Sequence, residues 1–116
     1  MAANSSDMVA YVPDAGEIVW LDFSPQIGHE QAGHRPAVVL SSAAYNRIGL
    51  MLCCPLTTKL KGYPFEVAID TDRPSAVLAD QVKSFDWRAR GAKSKGRVSE
   101  VELSEIRAKA RALIGR

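Results

Sequence analysis

The stretch Glu30-Gln31-Ala32-Gly33-His34-Arg35-Pro36 places a carboxylate, an imidazole and a guanidinium within six residues of one another. It runs directly into the apolar Ala37-Val38-Val39-Leu40. Arg35 sits where a polar loop becomes a strand, so a rigid backbone can aim a planar, permanently charged fork at whatever the loop binds. Such a fork suits a phosphate or a carboxylate. Gly33 relieves the backbone just before it, and Pro36 fixes φ at a strand's first residue, where a missing N–H is tolerated. A second polar stretch, Thr57-Thr58-Lys59-Leu60-Lys61-Gly62-Tyr63-Pro64, supplies two hydroxyls and two ammonium groups. One arginine, one or two threonine hydroxyls and Lys61 make a set that can hold a phosphate.

These groups must be positioned by strands. Glu17 to Phe23 is β-branched and aromatic and reads as the first strand. The ten residues Ser24 to Gly33 form a loop with two glycines and a proline, a length often associated with function. Pro36 to Leu40 is the second strand. Ser41 to Arg47 has room for one short helical turn. Leu50 to Leu56 is almost unbroken apolar and is expected to be buried on both faces. Phe65 to Ile69 alternates, with Phe65, Val67 and Ile69 on one side. Ala76 to Leu78 and Val82 to Phe85 are short strands. Asp86 to Lys95 reads as a basic loop, and Gly96 to Val98 as one more short strand. Ser99 with Glu102 forms a capping box, and Ile106, Ala110, Leu113 and Ile114 follow at helical spacing before Gly115. Short strands followed by one terminal helix predict a mainly β fold, a small barrel-like antiparallel sheet with a C-terminal helix packed on it. If strands two and three are antiparallel neighbours, Arg35 and Thr57 lie close across the sheet.

At 116 residues the chain is one domain, with residues 1–12 as a tail and 13–116 as the folded unit. A composition of 47% hydrophobic and 24% charged residues is that of an ordinary globular protein. The net charge of +2 is too small to announce a nucleic-acid binder by itself. Its distribution says more. Lys83 to Arg97 holds six cationic side chains against Asp86 alone, a net +5, whereas residues 1–57 carry −3. Cys53 and Cys54 are adjacent, so on a strand they face opposite ways; they read as small buried hydrophobes in a reducing cytoplasm. They form no metal set with His29 and His34, and no metal or cofactor is expected. The N-terminus has no apolar core for a signal peptide and no run reaches the length of a membrane span.

The phosphate-holding set suits RNA cleavage by the neighbouring 2′-hydroxyl. That reaction needs neither a protein nucleophile nor a metal. It needs the phosphate held in line, charge stabilised on the phosphorane, and a route for two protons. Arg35 supplies the charge and a threonine hydroxyl bonds a phosphate oxygen. The base stays open among Glu30, His34 and His29, because arginine titrates above about pH 12 and makes a poor base. Trp20, Tyr63, Phe85 and Trp87 are stacking candidates for unpaired bases, with Tyr63 and Trp87, in or beside polar loops, the more available.

Three blocks carry a resemblance over residues 9–115: EQAGHRPAVVL at Glu30–Leu40, KGYPFEV within Thr57–Val67, and LADQVKSFDWRARG at Leu78–Gly91. In this order they resemble the MazF (PemK-like) toxin family, close to its enterobacterial type. The resemblance implies an SH3-like barrel of the CcdB/MazF fold and a homodimer. It implies a metal-independent endoribonuclease that cuts single-stranded mRNA at a short motif, ACA-centred by similarity, leaving a 2′,3′-cyclic phosphate and a 5′-hydroxyl. It implies a cognate MazE-like antitoxin whose acidic segment competes for the RNA groove. The catalytic arginine and threonine of the family fall on Arg35 and Thr57, with Thr58 the alternative hydroxyl, and Glu30 matches a position tied to toxicity. Phe23, Gly33, His34, Thr58, Lys61, Gln81 and Lys83 are the expected RNA contacts. The chain departs from the family at Met1–Met8, Gln26–His29 and Lys59–Leu60. A gyrase-binding toxin of the same fold, or an RNA-binding barrel without turnover, are the competing readings.

Overall fold

A computed structural model describes residues 10–24 and 33–115. Seven strands form one strongly curled antiparallel sheet: β1 (Glu17–Asp22), β2 (His34–Val39), β3 (Leu50–Thr57), β4 (Glu66–Ile69), β5 (Ser75–Leu78), β6 (Lys83–Asp86) and β7 (Lys93–Arg97). The order is β4-β5-β3-β2-β1-β7, with β6 also paired to β3. A one-turn helix, α1 (Ala43–Asn46), links β2 to β3, and α2 (Glu100–Ile114) closes the chain. The mainly β fold with one long C-terminal helix is the expected one.

Alternation along the strands builds two cores, one on each face of the sheet. Val19, Leu21 and Phe23 of the first strand region join Ala37, Val39, Met51, Cys53 and Trp87 on one face. Val38, Cys54 and Leu56 join Val67, Val77 and Ile106 on the other. The adjacent cysteines therefore serve different cores, both fully buried, and burial pushes each thiol up to about 12. A thiol that high is almost wholly protonated near neutrality and behaves as a small hydrophobe.

Helix α2 covers the second core with few residues. Only Ile106 and Ala110 are buried along its length, with Leu103 half-buried against them. Burying an isoleucine contributes about 1.5–3 kcal/mol, so polar anchors matter comparably here. Ser99 Oγ accepts from the Glu102 amide at 3.0 Å while the Glu102 carboxylate accepts from the Ser99 amide at 2.8 Å. Such a cap is worth about 1 kcal/mol. The other carboxylate oxygen of Glu102 accepts from the Asp70 amide at 2.9 Å, tying the β4–β5 turn to the helix start. Arg107 donates to the Leu40 carbonyl at 2.6 Å, tying the helix to the end of β2.

Four expectations are corrected. β3 is buried on both faces only from Cys53 to Leu56; Leu50 and Leu52 are about two-fifths exposed. They lie opposite Asp86 and Ser84 of β6, on the face of β3 that Cys54 and Leu56 share, at the end that the second core does not reach. The last strand begins at Lys93, not Gly96, because β7 is an edge strand paired only to β1 among the described residues, and an edge accepts lysines that a central strand rejects. Trp87 is not available for stacking: it is buried, and its indole N–H donates to the Asn46 carbonyl at 2.8 Å. Trp20 is the exposed one, at 37%. Of the expected tail, Tyr11 stacks edge-on to Trp87 and Val12 packs on the first core, so packed structure begins before residue 13.

Asn46 ties α1 to the rest. It is fully buried; its amide donates to the Pro13 and Ser41 carbonyls at 2.8 and 2.9 Å, and its oxygen accepts from Ser41 Oγ at 2.6 Å. Replacing it with alanine strands these buried partners, at about 1–3 kcal/mol for each left unpaired. Asn46→Ala is expected to destabilise the fold by about 2–4 kcal/mol, read as a lower urea midpoint at unchanged slope.

Candidate active site

The site forms where the β2–β3 ladder stops. Its registered pairs are Val39↔Cys53, Val38↔Cys54 and Ala37↔Pro55. Carried two residues further, the same register sets Arg35 opposite Thr57. The ladder does not reach that pair. Pro36 and Pro55 have no N–H to give, and β3 turns at Leu56 and Thr57 to pair with Val77 and Ala76 of β5. The gap left between the start of β2 and the end of β3 is a cavity of about 390 Å³, lined by Arg35, Pro36, Leu56, Thr57, Thr58, Lys59 and Ser75.

Arg35 is half-buried and its Nη2 lies 3.5 Å from the Leu56 carbonyl, a long contact and the one side-chain hydrogen bond it makes among the described residues. Thr57 Oγ1 accepts from the Lys59 amide at 3.0 Å. One lone pair is thus committed and the hydroxyl proton remains to donate. The cavity therefore brings together Arg35, the two threonines, Ser75 and Lys59, cations and hydroxyls suited to a tetrahedral oxyanion.

The loop bearing Thr58 to Phe65 is held by Glu66. Its carboxylate accepts from the amide of Gly62 at 3.0 Å and of Lys61 at 3.2 Å. Gly62 sits at φ +72°, a conformation that favours glycine. Lys61 itself is exposed, with its ammonium 5.9 Å from the Tyr63 ring, and is not among the cavity's lining residues.

The other sequence-predicted residues distribute around this centre. Gly33, at φ +83°, closes the base of the β1–β2 loop: its carbonyl accepts from the Phe23 amide at 2.9 Å and its amide donates to Ser24 Oγ at 3.2 Å. Phe23 is buried, edge-on to Phe85 at 5.0 Å, so it supports the loop base rather than offering a stacking face. His34 is exposed and stacks on Trp20 with centroids 6.1 Å apart. Gln81 donates its amide to the Leu78 carbonyl in the β5–β6 turn, and Lys83 lies on β6 opposite Cys53; neither lines the cavity. Glu30 and His29 lie outside the described residues. Beside the loop base, the Ser24 hydroxyl and amide hold the Asp22 carboxyl below its ordinary range. Arg90 donates to the Asp22 carbonyl at 2.9 Å and caps the Phe85 ring at 4.1 Å.

The reading from sequence missed Lys59 and Ser75. Lys59 was passed over as loop detail although it follows Thr57 by two residues. Ser75 reaches the cavity only because β5 folds back on β3, which no local pattern announces. A second groove, of about 550 Å³, shares Pro36, Leu56, Thr58 and Ser75 with the cavity and continues it toward Trp20.

Residues 14–114 match the model of the PemK-like, MazF-like toxins of type II toxin–antitoxin systems. The chain belongs to this family. It is 58% identical over 107 residues to the endoribonuclease toxin MazF of Escherichia coli K12, an alignment covering 90% of this chain and 96% of the relative. A crystal structure of MazF from Deinococcus radiodurans superposes with a TM-score of 0.85 at 51% identity, covering 92% of this chain and all of that one. A MazE–MazF crystal structure from the same organism gives 0.80 at 46% identity, with 91% and 98% covered. The MazF-like chain keeps its Arg35–Thr57 cavity within the matched region, on strands that the neighbours' fold shares.

Glu66→Ala is expected to free the loop without unfolding the barrel. Amide exchange at Lys61 and Gly62 should quicken at least about tenfold, while core amides such as those of Val38 and Cys54 keep their protection.

Proposed function

We propose that this protein is an endoribonuclease toxin of a type II toxin–antitoxin system that cleaves single-stranded mRNA by metal-independent transesterification. The convergence of Arg35 and Thr57 on one cavity, in a chain of the MazF-like family, carries the reading. The 2′-hydroxyl of the nucleotide before the cut attacks the adjacent phosphorus. The P–O5′ bond breaks and the leaving O5′ takes up a proton from water or from the protonated base, giving a 2′,3′-cyclic phosphate and a 5′-hydroxyl. Arg35 stabilises the phosphorane charge, and the Thr57 hydroxyl, or Thr58 beside it, donates to a phosphate oxygen. Glu30, five residues before Arg35, is the leading candidate for accepting the 2′ proton, with His34 and His29 as alternatives. Gly33, His34, Thr58, Lys61, Gln81 and Lys83 flank the substrate path, and Phe23 buttresses it. No helix of the described residues is long and apolar enough to cross a membrane, and the site of action is the cytoplasm, where mRNA is met.

The partner reading follows the family. The protein is a homodimer and is held inactive by a MazE-like antitoxin; the MazE–MazF crystal structures of 44–49% identical chains support it. A groove that binds phosphates also suits an acidic peptide, so antitoxin and RNA compete.

The deciding assay incubates a long single-stranded RNA with the protein in excess chelator and maps the product ends. Discrete cuts with cyclic-phosphate ends are expected. Arg35→Ala and Thr57→Ala should each lower the rate at least about a hundredfold, the usual scale for one lost oxyanion donor. Cleavage that required added metal, or that survived Arg35→Ala, would refute the mechanism. RNA retained without any product would instead favour a binding barrel. Competition makes a further prediction: inhibition by an acidic antitoxin peptide should weaken as salt rises from about 0.05 to 0.5 M. Salt-independent inhibition would show that apolar anchors dominate.

A further inference from the structure

We propose that the groove around Trp20 is a nucleotide subsite that stacks a base on the indole and selects for an exocyclic amino group; this rests on the ribonuclease reading above. Four observations converge on it.

The first is the exposure of the indole. Trp20 belongs to a strand whose neighbours Val19 and Leu21 are fully buried, yet it is 37% exposed in a groove rather than in a core. A large aromatic left open on a concave surface is a recurrent stacking platform for unpaired bases.

The second is a β-bulge. Ile18 pairs with Gly96 and Val19 with Ser94, which leaves Lys95 without a partner on β1. A bulge re-aims its extra residue. Here the Lys95 ammonium sits 4.9 Å from the Trp20 ring centroid. His34, next to Arg35 in sequence, stacks on the same indole. Both groups therefore lie over the indole itself, so a stacking base takes the place of at least one of them, and the displaced group can meet the phosphate or sugar beside that base.

The third is continuity. This groove and the Arg35–Thr57 cavity share four lining residues, so one chain of nucleotides can span both. About 550 Å³ is ample for one base with its sugar.

The fourth is the opposite wall. It is the β4–β5 turn, whose Asp70, Thr71 and Asp72 line the groove. Carboxylate oxygens accept hydrogen bonds. They therefore favour bases that carry an exocyclic amino group, adenine, cytosine or guanine, over uracil, which has none. Their repulsion of the RNA backbone is offset by Arg73, Lys95 and Arg97 on the same lining.

The test uses the full-length protein, wild type and as Trp20→Ala, Trp20→Phe and the double variant Asp70→Asn/Asp72→Asn. Cleavage is measured on a randomised RNA library. Binding is measured on a short RNA carrying 2′-O-methyl groups, which cannot be cut. Trp20→Ala should lose about five- to a hundredfold in kcat/KM, and Trp20→Phe should recover most of it. The double Asn variant should admit uracil at one position beside the cut. Trp20→Ala with wild-type cleavage, a loss that phenylalanine does not restore, or an unchanged base preference in the double variant would overturn the subsite. Wild-type protein that cuts nothing, while the 2′-O-methyl RNA still quenches Trp20 fluorescence, would overturn the ribonuclease reading and leave the subsite standing.

Discussion

The structure depends on a central strand pair that is buried on both faces. From Ala37 to Val39, and from Cys53 to Leu56, side chains alternate between two cores with almost no exposure on either side. Such strands have no place along their length for a polar group, since a buried unpaired donor costs about 1–3 kcal/mol. Chemistry is confined to the points where burial ends. Antiparallel pairing then brings the beginning of β2 beside the end of β3, so the last polar residue before burial begins on β2 lies beside the first polar residue after burial ends on β3. Arg35 and Thr57 are those residues. The two prolines stop the ladder at the same level, and the gap they leave is the cavity.

The periphery positions what the cores cannot. Each loop near the site is held by a side chain that accepts or donates several backbone hydrogen bonds at once. Glu66 does this for the loop after Thr57, Arg90 and Ser24 for the base of the loop before Arg35, and Asn46 for the turn between β2 and β3. Side chains that bond backbone fix a loop's path while leaving its own side chains free to face a substrate. The edge strand β7 works the same way. It is exposed along its whole length and carries Lys93, Lys95 and Arg97, which discourages edge-to-edge pairing while bringing cations to the groove rim.

Much of this was legible in the sequence, for identifiable reasons. The alternation from Ile18 to Phe23, the capping box at Ser99 and the apolar run before Thr57 are local signals with one structural meaning each. The Arg35–Thr57 neighbourhood followed from them, because strand ends are fixed once strands are. What was not legible depends on partners distant in sequence. Trp87 lies among polar residues in WRARG, yet its indole is buried because Tyr11 and Asn46 arrive to cover it. Trp20 sits in an apolar run, yet it is open: the second core takes up Ile18 on the same strand face and does not include Trp20. The bulge at Lys95 cannot be read from KSKGR, since a bulge is a property of two strands and their register.

The division between Arg35 and Thr57 carries a mechanistic consequence. Arg35 is carried by a strand whose following residues are buried in both cores, so its backbone is fixed and its Nη2 lies 3.5 Å from the Leu56 carbonyl. Thr57 is the last residue of a strand that has already changed partners, and its hydroxyl oxygen is oriented by one local bond from the Lys59 amide. In the mechanism proposed above, the group assigned to stabilise developing charge is the one carried by the doubly buried strand, where preorganisation contributes most to rate. The group assigned to donate to a phosphate oxygen stands at the head of a loop that a ligand can adjust. Under the same proposal, a peptide that filled this gap would meet both groups, so occupancy of one cavity would be enough to block the reaction without any change in the barrel.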